Sequence, residues 1–442
     1  MKKYYVISKN GNIYKPEKYL ELDECPPEFK IVIEKEALNI RSKKPNSKPE
    51  YLKYANKMGF SWEENSEIGF ISYNQKADLI MRLVKDYARM LVKKIGIPLY
   101  EVRGSNFFNM NYPVVEAYAN LFGDRLFINK SGNKNLVMSY DASYPQFNLA
   151  KKFNLEEKDL PFMHFSISDC YRNEQSGECM LLFRGKRFFM PDLHPYCKDI
   201  SEAFSLYSKL EKVLINAAKE VNQRYWNIIK VSSEKNWKKY REEIISIAKR
   251  KKSPALVELR VNEEEKYWIV DVDYSIVDQL EQVREIGCIQ IDIGNAKRLG
   301  IEYSDSSGKK RNPVIIHSAI PGGIERYLYM LLNDFKNSFP FWLYPVQLRI
   351  IPISKSYVKE FYNFIDNYPD IRLRYEIDDR DLSVPKRIKF AYEDLVPEYL
   401  LFGEKEIKDS KNFIKKIFAL SERNKGKPFL DYGWPKSISK QL

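Results

Sequence analysis

Two neighbouring stretches of this 442-residue chain hold the residue types best suited to chemistry. Asp169-Cys-Tyr-Arg-Asn-Glu-Gln-Ser-Gly177 sets an arginine and a glutamate, Arg172 and Glu174, just before a glycine turn. Phe183-Arg-Gly-Lys-Arg-Phe-Phe-Met-Pro-Asp-Leu-His194 follows with a dense basic-aromatic run containing Arg184, Lys186, Arg187, Phe188 and Phe189. A guanidinium presents a planar fork of donors that matches phosphate or carboxylate oxygens two at a time, and an aromatic ring offers a base a face to stack on. The residue types suit a nucleotide site, and they also occur on solvated hairpins. The run closes on an acid, Asp192, and a histidine, His194, which can ligate a metal.

The chain is long enough for two or three domains, each with its own core. Its formal net charge of +13 favours a polyanionic partner, and 31 Tyr and 25 Phe interleaved with that charge suit one carrying both phosphates and bases. Five cysteines, odd in number and without a C-x-x-C pair, argue against a disulfide framework or a zinc ribbon. The N-terminus lacks the apolar core of a signal peptide, and no run approaches the ~20 apolar residues of a membrane span. A reduced, cytoplasmic protein with no membrane association is expected.

The elements that must position these residues follow from pattern. Tyr4–Ile7 and Ile13-Tyr14 flank the turn signal Asn10-Gly11 and predict a hairpin, and 42–49 reads as a linker. Apolar residues spaced three and four apart predict a helix over 76–95. Strands are expected at 98–102, 125–128 and 136–138, a helix capped by Ser201, and a single helix through Trp237, Tyr240, Ile244 and Ala248. Ala255–Val261, Tyr267–Tyr274 and Cys288–Ile293 read as strands. In the last, alternation puts Ile289, Ile291 and Ile293 on one face and Cys288, Gln290 and Asp292 on the other, where they could line a pocket. A strand at Pro313–His317 runs into Pro321-Gly-Gly-Ile-Glu-Arg326 and a helix. Strands returning late to one sheet with helices between them predict an α+β domain with an antiparallel sheet. Strand and helix alternate again after about residue 336, which predicts a compact C-terminal βαβ domain.

The chain resembles the class II aminoacyl-tRNA synthetases, and within them threonyl-tRNA synthetases of the archaeal type. Tyr171–Gly177 with Arg184 and Phe188 is similar to their motif 2, Pro313–Arg326 to motif 3, and Met190–Asp199 to the threonine-specific segment. Trp342–Arg349, Asp378–Asp381 and Phe402–Glu406 are similar to the anticodon-binding domain. The resemblance implies an α+β fold: the class II antiparallel sheet with flanking helices, plus a C-terminal α/β anticodon-binding domain. It implies an N-terminal hairpin and linker extension over 1–70, a catalytic domain over 71–335 and the anticodon domain over 336–442.

It further implies a threonine–tRNA ligase using ATP with Mg2+. Arg172 would hold the α-phosphate, with Arg184 as a second phosphate contact and Arg326 at the γ-phosphate, these three being the catalytic set. Glu174 would take the adenine amino group, Phe188 would stack on the base, and Gln290 would contribute to both the ATP and amino-acid subsites. Asp192, supported by Gln290 and Tyr267, would bind threonine, and Arg380 and Lys386 would meet the anticodon. Partners implied are tRNA(Thr) and a second copy in a homodimer; with only about 70 residues before the catalytic match, too few for the family's N-terminal editing domain, editing is expected either from a separate protein or to be missing.

The family's zinc, held by Cys and two His, implies His194 and His317 as ligands. Ser143 stands at the cysteine position, where a neutral hydroxyl is a far poorer ligand than a thiolate. The third ligand is then Ser143, or Cys288 supplying sulfur from another strand. His164 reads as structural. Asp271 stands where a lysine is frequent, and Leu181 where a glycine is. These departures keep open a second reading, a synthetase-like paralogue that binds tRNA or partner proteins and has lost or changed aminoacylation.

Overall fold

The computed structural model describes residues 2–40, 49–261 and 266–441. Nearly all of the 42–49 linker lies outside them. The chain forms two compact units, one of Met1–Leu52, Trp62–Ile71 and Ala88–Asn337, the other of Lys53–Ser61, Ser72–Tyr87 and Ser338–Leu442.

The first unit is built on a ten-stranded sheet. Its strands are β1 (Lys2–Ile7), β2 (Ile13–Tyr14), β3 (Leu99–Glu101), β4 (Phe162–Tyr171), β5 (Arg187–Cys197), β6 (Trp226–Val231), β7 (Ala255–Arg260), β8 (Trp268–Val277), β9 (Val283–Asp292) and β10 (Val314–Ala319). Their order is β2-β1-β7-β6-β8-β9-β10-β5-β4-β3. Pairing is antiparallel except between β6 and β7 and between β4 and β3, so this is an α+β sheet with two parallel joints. The expected hairpin forms, and β1 pairs with β7 over six residues. The N-terminal segment is thus an integral edge of the sheet, with Tyr19, Phe29 and Val32 packing beside Trp226 and Leu256.

The Ile200–Lys219 helix buries Ala203, Leu206, Tyr207, Leu210, Leu214 and Ala217, a stripe spaced three and four apart that turns one face to the core. Its N-cap is Asp199, whose carboxylate accepts from Glu202 N, so Ser201 lies two residues too far in to serve. The helix expected through Trp237 and Ala248 is two, Glu234–Lys239 and Arg241–Lys251, because Tyr240 between them leaves helical geometry (φ −115, ψ 27). Residues 120–125 form a 3-10 turn that displaces the expected strand at 125–128 to Ile128–Ser131. The 76–95 helix is observed at Gln75–Lys93. Among the described residues, no helix is long and apolar enough to cross a membrane.

In the second unit, β11 (Leu348–Pro352) pairs in parallel with both β12 (Tyr375–Ile377) and β13 (Glu398–Phe402), as βαβ crossovers require. Helices Ser356–Ile365, Val384–Glu393 and Ser410–Glu422 provide the layers, and Phe361, Phe402, Phe413 and Ile417 fill the core between them. The residues 53–61 and 72–87 that join this unit precede it by hundreds of positions in sequence. Tyr87 shows why: its ring packs 4.9 Å from Trp342.

Candidate active site

The site begins with a hairpin. β4 delivers Arg172 at its end and β5 starts at Arg187, and the two strands pair from Phe162↔Tyr196 to Tyr171↔Arg187. Between them the chain folds back on itself, Arg172 N donating to Lys186 O (2.8 Å) and Met180 N to Arg184 O (2.9 Å). Lys186 is anchored by an ion pair with Glu67. Glu325, buried on the Ile324–Asn333 helix, accepts from Phe189 N (2.9 Å) and so fixes the hairpin against that helix.

Along this hairpin the phosphate and base candidates come together. Arg172 donates Nε to Tyr140 O (3.1 Å) and lays its guanidinium 5.2 Å from the Phe188 ring. Glu174 is buried, with Arg125 and Arg184 at 3.8 and 3.9 Å, and its Oε2 makes no hydrogen bond to any described residue. An unsatisfied buried carboxylate oxygen needs a donor, and an adenine amino group is one. Arg326 projects from the Ile324–Asn333 helix toward the same cleft, bonded to Glu285 O (3.1 Å), ion-paired with the Glu285 carboxylate (3.3 Å) and stacked over Phe183 (5.1 Å). The cleft, about 200 Å³, is lined by Arg172, Glu174, Arg184, Phe188, Glu285 and Arg326 among others.

The turn that launches Arg326 depends on Gly322. Its φ is +132°, and a Cβ there would lie 2.6 Å from Ile286 O, closer than any real contact. Only glycine lets this backbone settle against β9.

The second cavity, about 640 Å³, is lined by Ser143, Asp192, Tyr267, Asp271, Gln290 and His317 among others, and Arg172, Met190 and Cys288 border both it and the first cleft. Its polar floor is a single row across the sheet. Lys230 lies opposite Asp271, Asp271 opposite Gln290, and Gln290 opposite His317. The β10–β5 register, with Leu193 opposite Ser318 and Tyr196 opposite Ile315, sets His317 against His194. His194 in turn lies opposite His164, so all three histidines of the chain occupy one row.

Electrostatics differ along the row. Lys230 pairs with Asp273 (2.6 Å) and Asp271 (3.8 Å); burial works against its charge, but the two acids outweigh it and the pKa rises. Burial raises Asp271, with Lys230 opposing. Burial also pushes Asp192 up to about 7, against the pull of His317. For His317, burial disfavours the charged form, but the hydrogen bond and charge of Asp292 prevail and raise its pKa. Burial lowers His194 far below the usual histidine range. His164 is fully buried among Phe162, Phe153 and Tyr196, its pKa lowered to about 4, a packing role.

The tautomers of the central pair follow from their outer partners. Gln146 spends its amide nitrogen on Ser166 Oγ (2.9 Å) and Asp192 O (3.1 Å), leaving Oε1 to accept from His194 Nδ1 (2.9 Å). Asp292 accepts from His317 Nε2 (2.8 Å). His194 Nε2 and His317 Nδ1 therefore face each other, 3.1 Å apart. Ser143 Oγ stands 3.1 Å from the first and 3.5 Å from the second, and donates to Asp192 Oδ2 (3.2 Å).

This donor set does not fit a thiolate-held zinc. The two imidazoles are oriented as ligands would be, but the third corner is a hydroxyl already engaged with Asp192. Cys288 is not placed to replace it: it stands opposite Asp273 on β8, and the β9 residue opposite His317 is Gln290; burial raises its thiol pKa well above the usual range. Among the described residues no three His, Cys, Asp or Glu side chains are placed to share a metal ion.

Arg172, Glu174, Arg184, Phe188 and Arg326 thus converge on one cleft, and Ser143, Asp192, Tyr267, Gln290 and His317 on the adjoining cavity, with His194 fully buried behind Ser143 and His317. In the second unit Arg380 and Lys386 flank one ring, Phe390, at 4.7 and 6.0 Å, and Arg380 is held by Asp378 (2.6 Å). Sequence reasoning missed the residues that orient others: Gln146, Asp292, Lys230, and Asp141, which accepts from Ser143 N (3.2 Å) and Tyr118 Oη (2.8 Å). Asp292 was findable, since alternation already put it on the pocket face.

Residues 127–335 match the family described as tRNA synthetase class II core domain (G, H, P, S and T). Solved structures agree on the fold: the RNA binding domain of threonyl-tRNA synthetase from Cryptosporidium parvum (TM-score 0.73, 19% identity, 84% of this chain and 98% of that one), and prolyl-tRNA synthetase from Giardia lamblia in complex with prolyl-adenylate (TM-score 0.64, 14%, 82% and 72%). The threonine–tRNA ligase of Pyrobaculum islandicum is 38% identical over 411 residues, 91% of this chain and 66% of that protein. That of Pyrobaculum aerophilum is 36% identical over 431 residues, 96% and 69%. The chain therefore spans about two thirds of the length of these relatives, and it belongs to the threonine–tRNA ligase family.

Proposed function

We propose that the chain activates threonine with ATP and transfers it to tRNA(Thr). The observation that carries this is the shared wall: Arg172, Met190 and Cys288 border both the arginine-rich cleft and the cavity of Asp192 and Gln290, so an amino-acid carboxylate and an α-phosphate can meet there. In the first step a carboxylate oxygen attacks the α-phosphorus, the bond to the β-phosphate breaks, and pyrophosphate leaves with the electron pair. In the second a terminal ribose hydroxyl attacks the adenylate carbonyl and AMP leaves.

Arg172 and Arg184 stabilise the charge on the phosphates, Arg326 takes the γ-phosphate, and Glu174 and Phe188 hold adenine. Such chemistry is mainly positioning and charge stabilisation, and Mg2+ accompanying ATP supplies further neutralisation. Asp192, Gln290 and Tyr267 hold threonine. Residues 71–335 carry the catalysis with 1–70 as an extension, and 336–442 read the anticodon around Arg380, Lys386 and Phe390. A homodimer is part of the proposal, supported by the exposed large side chains Tyr100 on the β3 edge strand and Phe107, Tyr112, Val114, Leu121 and Ile128 in the segment that follows it. The setting is cytoplasmic.

Threonine-dependent ATP–pyrophosphate exchange tests the reading. Exchange with threonine supports it. No exchange with threonine or any other amino acid, with tRNA present, overturns it.

A further inference from the structure

We propose that the pocket selects the side chain of its amino acid through a hydrogen bond that Asp192, oriented by Ser143, accepts from it, with no metal ion between protein and substrate. This rests on the threonine-ligase reading above.

The corner that decides the matter is Ser143. It opens the Ser143–Ala150 helix and is itself buried. Its backbone is pinned because Asp141 Oδ1 accepts from Ser143 N (3.2 Å) and Tyr144 N (3.3 Å), while Tyr118 Oη holds the other oxygen of Asp141 (2.8 Å). The hydroxyl is thereby aimed at Asp192 and the two imidazoles rather than free to turn away. A serine hydroxyl keeps its proton at neutral pH, so it cannot supply the anionic sulfur that makes a structural zinc corner. The other candidate sulfur, Cys288, stands opposite Asp273 on β8, whereas the β9 residue opposite His317 is Gln290.

What remains is a set of groups each held in orientation by a hydrogen bond. Gln146 fixes His194, Asp292 fixes His317, and Ser143 fixes Asp192. A carboxylate has about four lone-pair sites, so Asp192 retains acceptor capacity at the cavity wall. A substrate hydroxyl satisfies it, whereas an isosteric methyl leaves a buried carboxylate short of a donor. A site that is built to bond a hydroxyl rejects the analogue lacking it more strongly than an apolar pocket can. Discrimination of threonine from valine then needs no Lewis acid.

The test starts with the wild-type chain, purified without chelator and analysed for metals by mass spectrometry. Threonine binding is measured by calorimetry before and after dialysis against a chelator, and the threonine-to-valine exchange ratio before and after. We expect far less than one zinc per chain, an unchanged threonine Kd and an unchanged ratio. One tightly held zinc per chain whose removal abolishes threonine binding overturns the proposal. A second arm uses Ser143→Cys with Co2+. A thiolate-to-cobalt charge-transfer absorption, absent from wild type, confirms Ser143 as the missing corner, and a folded variant without that band overturns the assignment. If that variant does not fold, the wild-type measurements still decide. Failure of the ligase reading looks different: no amino acid then drives exchange, while the metal content of the untreated protein still judges this proposal.

Discussion

Glu174 is buried with one oxygen lacking a donor, a cost of about 1–3 kcal/mol that a bound adenine amino group would relieve. Glu174→Gln keeps the shape, removes the charge and offers an amide where an acceptor is needed. We expect the KM for ATP to rise by roughly 10- to 100-fold with the KM for threonine little changed, measured in pyrophosphate exchange. Equal changes in both would mean that Glu174 does not touch the nucleotide. A second residue speaks to pH. Lys251 is half-buried, donating to Tyr225 O and to Asn227 Oδ1 (2.6 Å), and burial holds its pKa down to about 7 against the ordinary 10.5, with Arg224 and Lys219 adding to the effect and Glu211 opposing. Between those values the unfolded chain binds a proton that the folded chain does not, so stability rises with pH across that window and is lost as pH falls toward 7. Urea midpoints at pH 7 and pH 9.5 should therefore diverge between wild type and Lys251→Met, the wild type gaining more at the higher pH. Parallel curves would rule the linkage out.

At the scale of elements, the glycine turn before the Ile324–Asn333 helix carries the sharpest expectation. Gly322→Ala must displace either β9 at Ile286 or the helix that bears Glu325 and Arg326. Melting should fall by an amount equivalent to about 1–3 kcal/mol, and the KM for ATP should rise at least as much as in Glu174→Gln. A variant with unchanged melting and ATP affinity would show that the turn tolerates a side chain. Elements were also where sequence reading succeeded and failed for definable reasons. The β9 strand was legible because Ile289 and Ile291 alternate with Cys288 and Gln290, and the burial of the two isoleucines follows that pattern. The Ser201 cap and the unbroken helix past Tyr240 were misread because capping and kinking depend on backbone angles that residue type does not fix. Gln146 was illegible for another reason: its partners, Ser166, Asp192 and His194, come from distant strands, and no local pattern announces a residue that orients another.

For the whole molecule, the net charge of +13 predicts a salt dependence that separates the two substrates. Contacts to tRNA release counterions, so the KM for tRNA should climb steeply with ionic strength, while threonine-dependent exchange, which involves only small substrates, should change less. Equal salt sensitivity of exchange and aminoacylation would argue against a broad electrostatic contact with tRNA. At this scale the sequence was informative about the order of elements and about which residues share a face. It was silent on the non-contiguous second unit, because the pairing of Tyr87 with Trp342 joins segments more than two hundred residues apart.

The polar row from Lys230 through Asp271, Gln290, His317 and His194 to His164 has a consequence for how the pocket can change. Six strands contribute one side chain each, and slipping any strand by a single residue turns all its side chains to the opposite face. The row therefore exists whole or not at all, and a chain that has folded has its floor in place. Variation is confined to swapping side chains at fixed addresses or to the walls that rest on something other than the sheet. Ser143 is such a wall, set by a helix start, and can be exchanged without disturbing a single strand. The chemistry of the pocket is thus most open to revision at the corner that the sheet does not own.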